Sequence, residues 1–343
     1  MKELDDWCRA LKKNFTPYEI NSLKPVSYWN EKDIISGKIV DALVIILKTR
    51  GCSWAHDSGC SMCGYFNDSL WKDVSNEEII SQIDYAMEKS SGQQFIKIFT
   101  SGSFLDDEEI NPKLRSEIIE KISKKAKKLS FESRPEFVTK EKITELKNKF
   151  PENIFEVGIG LETAKDYIRD RAINKGFSFS DYENAASLMR KNSWEVKTYV
   201  LVKPPFLTEK QAIDDCIHTI DKIKNLTDTV SLNPTNVQSN TIVEYLWKRG
   251  QYRPSWLWSL IEILKNSKKT LGEVRIKCDV VGGGGIRGAH NCRLCDKGFL
   301  RAIEEFSLEQ DSNIFDNLNC ECHDKWLDCL NIEGFGFGSL VNM

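Results

Sequence analysis

The chain has 343 residues, 41% hydrophobic and 29% charged, enough for one large domain with a smaller one or for two ordinary ones. With 48 basic against 51 acidic residues the net charge is −3, so the molecule exerts no overall pull on nucleic acid. The longest apolar runs, at 40–47 and 198–202, are too short to cross a bilayer, and the N-terminus lacks a signal-peptide core; a cytoplasmic protein with no membrane partner is expected.

Taken in chain order, strands are predicted at 40–47 (VDALVIIL), 95–100 (FIKIFT), 128–133 (KLSFES), 154–160 (IFEVGIG), 196–202 (VKTYVLV), 228–233 (DTVSLN) and 273–278 (EVRIKC). Between them the 3.6-residue period recurs, as in NEEIISQIDYAMEKS, where Glu77 and Glu78 favour a helix start after Ser75. The basic run KISKKAKK at 121–128 has helical spacing and reads as a solvated helix face. Strands rich in Val, Ile and Phe, separated by single helices, call for a parallel sheet covered by helices. No Gly-rich dinucleotide loop follows the first strand, so the expected α/β fold is a partial (β/α) barrel over 40–279. Residues 1–39 are expected to be an N-terminal extension. Residues 280–343, where the periodicity stops, are expected to be a small Gly- and Cys-rich metal-binding C-terminal region.

In such barrels the chemistry sits where the strands end. Cys52, Cys60 and Cys63 follow the first predicted strand, and Ser101, Gly102, Ser103 and Asp106 the second. Glu132 and Arg134 follow the third, Glu162 the fourth and Lys203 the fifth. Asn233, Asn236 and Gln238 follow the sixth, and Cys278 and Asp279 close the seventh. Polar groups thus converge on one rim.

Eleven cysteines point to metal or redox chemistry rather than a disulfide framework. Three thiols within twelve positions, beside Gly51, Gly59 and Gly64, fit an iron–sulfur cluster with one iron left open, or a zinc ion that recruits His56. A second group suits a structural zinc site, with Cys292, Cys295, Cys320 and Cys322 as preferred ligands. Cys278, His290 and His323 are alternates there, and a second iron–sulfur cluster is the competing occupant. Cys8, Cys216 and Cys329 stand alone as ordinary thiols. The GGGG run at 282–285 lacks the lysine–serine ending of a phosphate loop and is expected to form a flexible lid over the barrel mouth, where Arg287, His290 and Arg293 read equally as tRNA-phosphate contacts or as solvent-exposed residues.

The segment GCSWAHDSGCSMCGY resembles the cluster loop of the radical S-adenosylmethionine (SAM) superfamily, which carries three cysteines after the first barrel strand. The two-residue gap before Cys63 is kept; the gap after Cys52 is longer, at seven. TSGSF resembles the segment that holds the methionine amino group of SAM, which implies that role for Ser101, Gly102 and Ser103. GIGLET resembles the ribose-contacting motif, here Glu162, and RAINKG the segment whose basic residue, Lys175 or Arg171, pairs with the SAM carboxylate. Together with FESRPEFVT, VGGGGIRGAHNCRLCD and FSLEQD, these stretches resemble the archaeosine-forming branch of that superfamily along nearly the whole chain.

That resemblance implies a [4Fe–4S] cluster on Cys52, Cys60 and Cys63, with SAM at the open iron and a 5′-deoxyadenosyl radical that removes hydrogen from the substrate. The implied substrate is tRNA carrying a lysine-modified 7-deazaguanine at position 15. A carbon–nitrogen bond is cleaved there to leave archaeosine, after the lysine-transferring archaeosine synthase subunit has acted. Glu132, Arg134, Lys203, Asn233, Asn236 and Asp279 are the candidate substrate contacts, Asp279 for the lysine amine. Rival readings are another radical SAM tRNA modifier, Elongator-like or a methylthiotransferase, and a non-catalytic zinc-stabilised RNA-binding module.

Overall fold

The apolar run at 40–47 forms the second strand of the sheet, and a more polar stretch ahead of it forms the first. The computed structural model describes residues 2–13, 15–16, 21–90 and 92–336. After α1 (Lys2–Lys12), β1 (Ser27–Ile35) runs antiparallel to β2 (Lys38–Ile46). Ser36 and Gly37 join them with φ of 49° and 76°, the two-residue turn whose twist suits a hairpin. The expected extension 1–39 therefore contributes a whole strand of nine residues, β1, and the first two residues of β2.

From β2 onward the sheet is parallel. α2 (Ser53–Asp57) and α3 (Asn76–Glu88) lead to β3 (Phe95–Phe99), α4 (Pro112–Ser123) to β4 (Lys128–Glu132), and α5 (Lys140–Lys149) to β5 (Ile154–Glu162). α6 (Asp166–Ile168), a π turn (Arg169–Ile173) and α7 (Phe179–Lys191) precede β6 (Glu195–Val202), and α8 (Glu209–Ile223) precedes β7 (Thr229–Pro234). α9 (Ile242–Trp247) and α10 (Leu257–Leu271) precede β8 (Arg275–Cys278), after which come α11 (Asp296–Glu309) and α12 (Cys322–Gly336). The eight strands lie in sequence order, β1 to β8, so the expected partial (β/α) barrel is the observed fold.

Helix starts follow the local chemistry. Ser75 and Glu78 close a capping box on α3, Thr208 and Gln211 one on α8, and Asn111 caps α4 ahead of Pro112. One face of each strand packs on the helices: Leu129 and Phe131 of β4 and Phe155 and Val157 of β5 join Ile118, Ile143 and Tyr182 in the main core. Phe299, Ile303 and Phe306 of α11 and Trp326 of α12 belong to that same core, so the Cys-rich region is packed onto the barrel. Among the described residues no helix is long and apolar enough to cross a membrane.

The other face of each strand points into the curl, and it is charged. Lys97 of β3 pairs with Glu31 and Asp33 of β1; Lys128 of β4 lies 2.7 Å from both Glu156 of β5 and Glu195 of β6. Arg275 of β8 reaches Asp33 of β1, an ion pair between the first and last strands that closes the floor of the lumen.

Candidate active site

Cys52 ends the stretch after β2 and stands as N-cap of α2. The loop that follows is tied down on both sides. Asn174, at φ 60°, donates to Ser58 Oγ (2.8 Å) and Gly59 O (2.9 Å), while its own carbonyl accepts from Trp54 Nε1 (2.8 Å). Ser61 N donates to Ile173 O (2.8 Å), Ile242 N to Ser61 O (2.9 Å), and Gly64 N to Gln238 Oε1 (2.5 Å). The loop is thereby positioned by the segment after β5 and the segment after β7.

Burial, then the nearness of Cys60 and Cys52, pushes Cys63 up to about 12. Burial also raises Cys52, with Arg134 opposing it. The charges of Lys12 and Lys175 act on the same thiols. Cys52 and Cys63 thus resist ionisation alone, and the trio of sulfur donors, with cations ranged about it, fits a group that binds thiolates and carries positive iron. His56 bonds instead to Arg50 O (3.0 Å) and packs on Trp71, so it is not brought to the trio as a fourth ligand.

The segment after β3 presses against this loop. A Cβ at Gly102 would lie 2.7 Å from Cys52 Cα, so only glycine permits the approach. Glu109 binds the two segments together, accepting from Thr49 Oγ1 and Ser103 N, and burial pushes it up to about 7. Ser103 is buried and accepts from Arg134 N (3.0 Å), whereas Ser101 bonds to Tyr65 O (3.1 Å) at the surface of the loop.

At the end of β5, a bulge and a φ of 67° turn Glu162 inward to pair with Lys175 at 2.6 Å. Burial opposes the Lys175 charge, but Glu162 and Cys60 overcome it and hold the ammonium protonated. Gly160 leaves room for the pair: a Cβ there would meet Glu162 Oε1 and Lys175 Nζ at 2.7 Å. Of the two basic candidates, Lys175 is brought to this place, while Arg171 lies on the exposed side of the π turn.

The expected substrate contacts divide. Arg134 packs over Trp54 and donates to Lys175 O (2.9 Å), which places it beside the cluster loop. Lys203 is engaged within the protein. It is buried between Glu209 (2.7 Å) and Glu333 of α12 (3.2 Å), because its φ of 57° turns it toward α8. Glu132 faces the lumen beside Tyr199, its pKa raised by burial with Tyr199 and Lys197 opposing. Asn233 accepts from Ser231 Oγ (3.3 Å), Asp279 lies at the rim with Lys277 (3.1 Å), and Asn236 lies under Gly282.

In the second group, sulfur-to-sulfur distances are 3.7 Å for Cys292–Cys295, 3.6 Å for Cys292–Cys320 and 3.7 Å for Cys295–Cys322. Four thiolates around a tetrahedral zinc, with bonds of about 2.3 Å, stand roughly 3.8 Å apart, so the cradle has the dimensions of one such ion. Asn291 Nδ2 and Trp258 Nε1 donate to Cys295 (3.5 Å) and Cys322 (3.4 Å), as a thiolate site requires. Cys278 is not part of it: its side chain lies on the helix-facing side of β8, in the core. His290 bonds to Gly288 O (2.8 Å) and His323 packs against Trp258 and Trp326. The expected flexible lid is a set of hydrogen-bonded turns. Gly284 N bonds to Ala289 O (2.9 Å) and Val237 N to Arg287 O (2.7 Å), and Arg287 is held by Glu244.

The sequence of the chain matches the Radical SAM superfamily over residues 46–216. It is 40% identical over 322 residues to archaeosine synthase subunit beta of Methanosarcina acetivorans, covering 93% of each. It is also 40% identical over 308 residues to the protein of the same name from Thermococcus kodakarensis, covering 88% of this chain and 95% of that one. Among solved structures, Methanocaldococcus infernus Elp3 with an N-terminal deletion aligns at a TM-score of 0.49 and 16% identity, over 68% of this chain and 59% of that one. A curled, mostly parallel half-barrel with three thiols after its first parallel strand is the framework of a radical SAM enzyme, a class that uses SAM and a [4Fe–4S] cluster. Within the superfamily, the chain belongs to the family of archaeosine synthase subunit beta.

Several residues that matter here went unread in the sequence. Glu109 is one acid in an acidic loop, and Asn174 one polar residue in a turn. Lys197 and Tyr199 were legible only as alternate positions of EVKTYVLV, on the face opposite Val196 and Val200.

Proposed function

We propose that this protein cleaves a carbon–nitrogen bond of the lysine-bearing 7-deazaguanine at position 15 of tRNA to leave archaeosine, acting after a partner subunit has attached the lysine. The observation that carries this reading is the 40% identity to archaeosine synthase subunit beta along 93% of both chains. Cys52, Cys60 and Cys63 would hold the cluster, which with SAM supplies the hydrogen-abstracting radical when bound. Glu162 and Lys175 offer a carboxylate for the SAM ribose and an ammonium for its carboxylate. Ser101 and Gly102, beside the cluster loop, would border the methionine end. Asn174 and Gln238 hold the loop, so that the reacting end of SAM meets the lumen in one orientation. Glu132, Tyr199 and Asp279 line the lumen in which the lysine arm would lie. Cys292, Cys295, Cys320 and Cys322 would hold a structural zinc ion.

The test is anaerobic reaction of the iron-reconstituted protein with lysine-modified tRNA, SAM and a reductant, followed by mass spectrometry. Archaeosine and 5′-deoxyadenosine should appear together, and Cys60→Ala should abolish both along with the brown absorbance. A Cys60→Ala protein that still formed 5′-deoxyadenosine would refute the assignment of the trio.

A further inference from the structure

The lumen carries five cations on its strands: Lys97, Lys128, Lys197, Arg275 and Lys277. Four of them are matched, Lys97 and Arg275 by Asp33, Lys128 by Glu156 and Lys277 by Asp279. At the rim, Lys175 and Lys203 are matched too, by Glu162 and Glu209. Lys197 is not. Its side chain is buried, with 3% of the residue exposed, and lies 5.1 Å from the Tyr199 ring centre and 5.7 Å from that of Phe99. Among the described residues no carboxylate is within ion-pair distance of its ammonium. The register sets Lys197 opposite Gly158, which in turn faces Glu132, and the Tyr199 ring packs over that glycine, where a Cβ would meet its Cε2 at 2.8 Å.

A buried cation without an anion is unfavourable in a ligand-free protein. Burial, with Lys277 and Lys97 close by, pushes Lys197 down to about 8, and Glu156 and Asp279 are too weakly placed to offset it. A ligand with an anionic group would correct the imbalance. On the substrate reading above, one is at hand: whichever amine of lysine is bonded to the base, the carboxylate stays free. We propose that the Lys197 ammonium, on the lumen face of β6 between Phe99 and Tyr199, docks the free carboxylate of the lysine arm and thereby determines specificity for a lysine-bearing base. Asp279, at the rim beyond Lys277, then faces the free amine of the same arm. The inference rests on the proposed substrate and adds to it the residue that selects it.

The experiment compares two tRNAs that differ by one group, one carrying the lysine adduct and the other the 1,5-diaminopentane adduct, which lacks only the carboxylate. Wild-type enzyme should favour the lysine adduct by about a hundredfold in kcat/KM, chiefly through KM, as removal of one member of a buried charge pair does. Lys197→Met should lose about that factor on the lysine adduct and change little on the diaminopentane adduct. A Lys197→Met enzyme that keeps the wild-type preference overturns the proposal. So does a wild-type enzyme that converts both adducts equally, a result that does not depend on the variant folding. Either would leave the functional reading standing; failure of wild type to form archaeosine from the lysine adduct would remove that reading, and this inference with it.

Discussion

Gly102 and Gly160 both sit where a methyl group would intrude, yet what it would strike differs. At Gly102 the obstacles are the buried, hydrogen-bonded Glu109 carboxylate and Cys52 Cα, which is backbone and cannot rotate away. At Gly160 they are the ends of Glu162 and Lys175, two side chains that can swing. Gly102→Ala should therefore displace the cluster loop, and reconstituted protein should carry far less iron than wild type. Gly160→Ala should keep its iron and its circular dichroism but bind SAM about tenfold more weakly, an ordinary overpacking effect. Iron content and equilibrium dialysis with SAM separate the two; equal iron loss in both variants would contradict the distinction. The sequence made the cysteine trio readable because thiols at that spacing have few other uses. The inward turn of Glu162 was not readable, since it depends on a bulge and a left-handed backbone that no pattern of residue types announces. The same holds for Lys203, expected to reach substrate and found instead in a buried pair with Glu209.

At the scale of elements, seven parallel strands were legible because buried strands are runs of Val, Ile and Phe whatever surrounds them. β1 was not, because SYWNEKDII is polar on both sides, with Glu31 and Asp33 facing the lumen and Lys32 on the exposed side paired with Asp41. α11 and α12 were hidden by the glycines and cysteines beside them, although FLRAIEEF has helical spacing once the knuckle is set aside. That knuckle joins the two helices. Cys295 stands as N-cap of α11 and Cys322 opens α12, while Asp296 accepts from Asn291 N (3.1 Å) and Arg293 N (3.0 Å) to fix the turn ahead of α11. Metal analysis should give about one zinc per chain besides the cluster iron, on tetrahedral thiolate chemistry. Cys320→Ser should lose that zinc, and hydrogen exchange should then rise across 291–330 while the strands β3 to β6 stay protected. Four additional irons in place of zinc would contradict the assignment, as would unchanged exchange in the variant.

For the molecule as a whole, the balance of charge over the full chain concealed a strongly polar interior. The mid-strand lysines of FIKIF, EVKTYVLV and RIKC lie on the lumen face, where closure of the sheet turns them onto one another and onto Glu31, Asp33 and Glu156. A lumen matched in this way suits a ligand that is itself a zwitterion, and it makes the fold sensitive to acid. Burial alone would raise Glu156, but Lys128 and Lys197 outweigh it and depress the carboxyl to about 2; Asp33 is depressed as well, Lys97 overcoming its burial. A carboxylate held below its unfolded value stabilises the fold above that value, near 4.5 for a glutamate, and the contribution is lost as pH falls through the folded value. The melting midpoint should therefore decline steeply as pH falls from about 5 toward 2. Glu156→Gln tests the cause: it leaves Lys128 with only the partly exposed Glu195, so the variant should melt lower than wild type at pH 7, and its midpoint should fall less between pH 5 and 2. Parallel midpoint curves for the two proteins across that range would show that the acid transition arises outside the lumen.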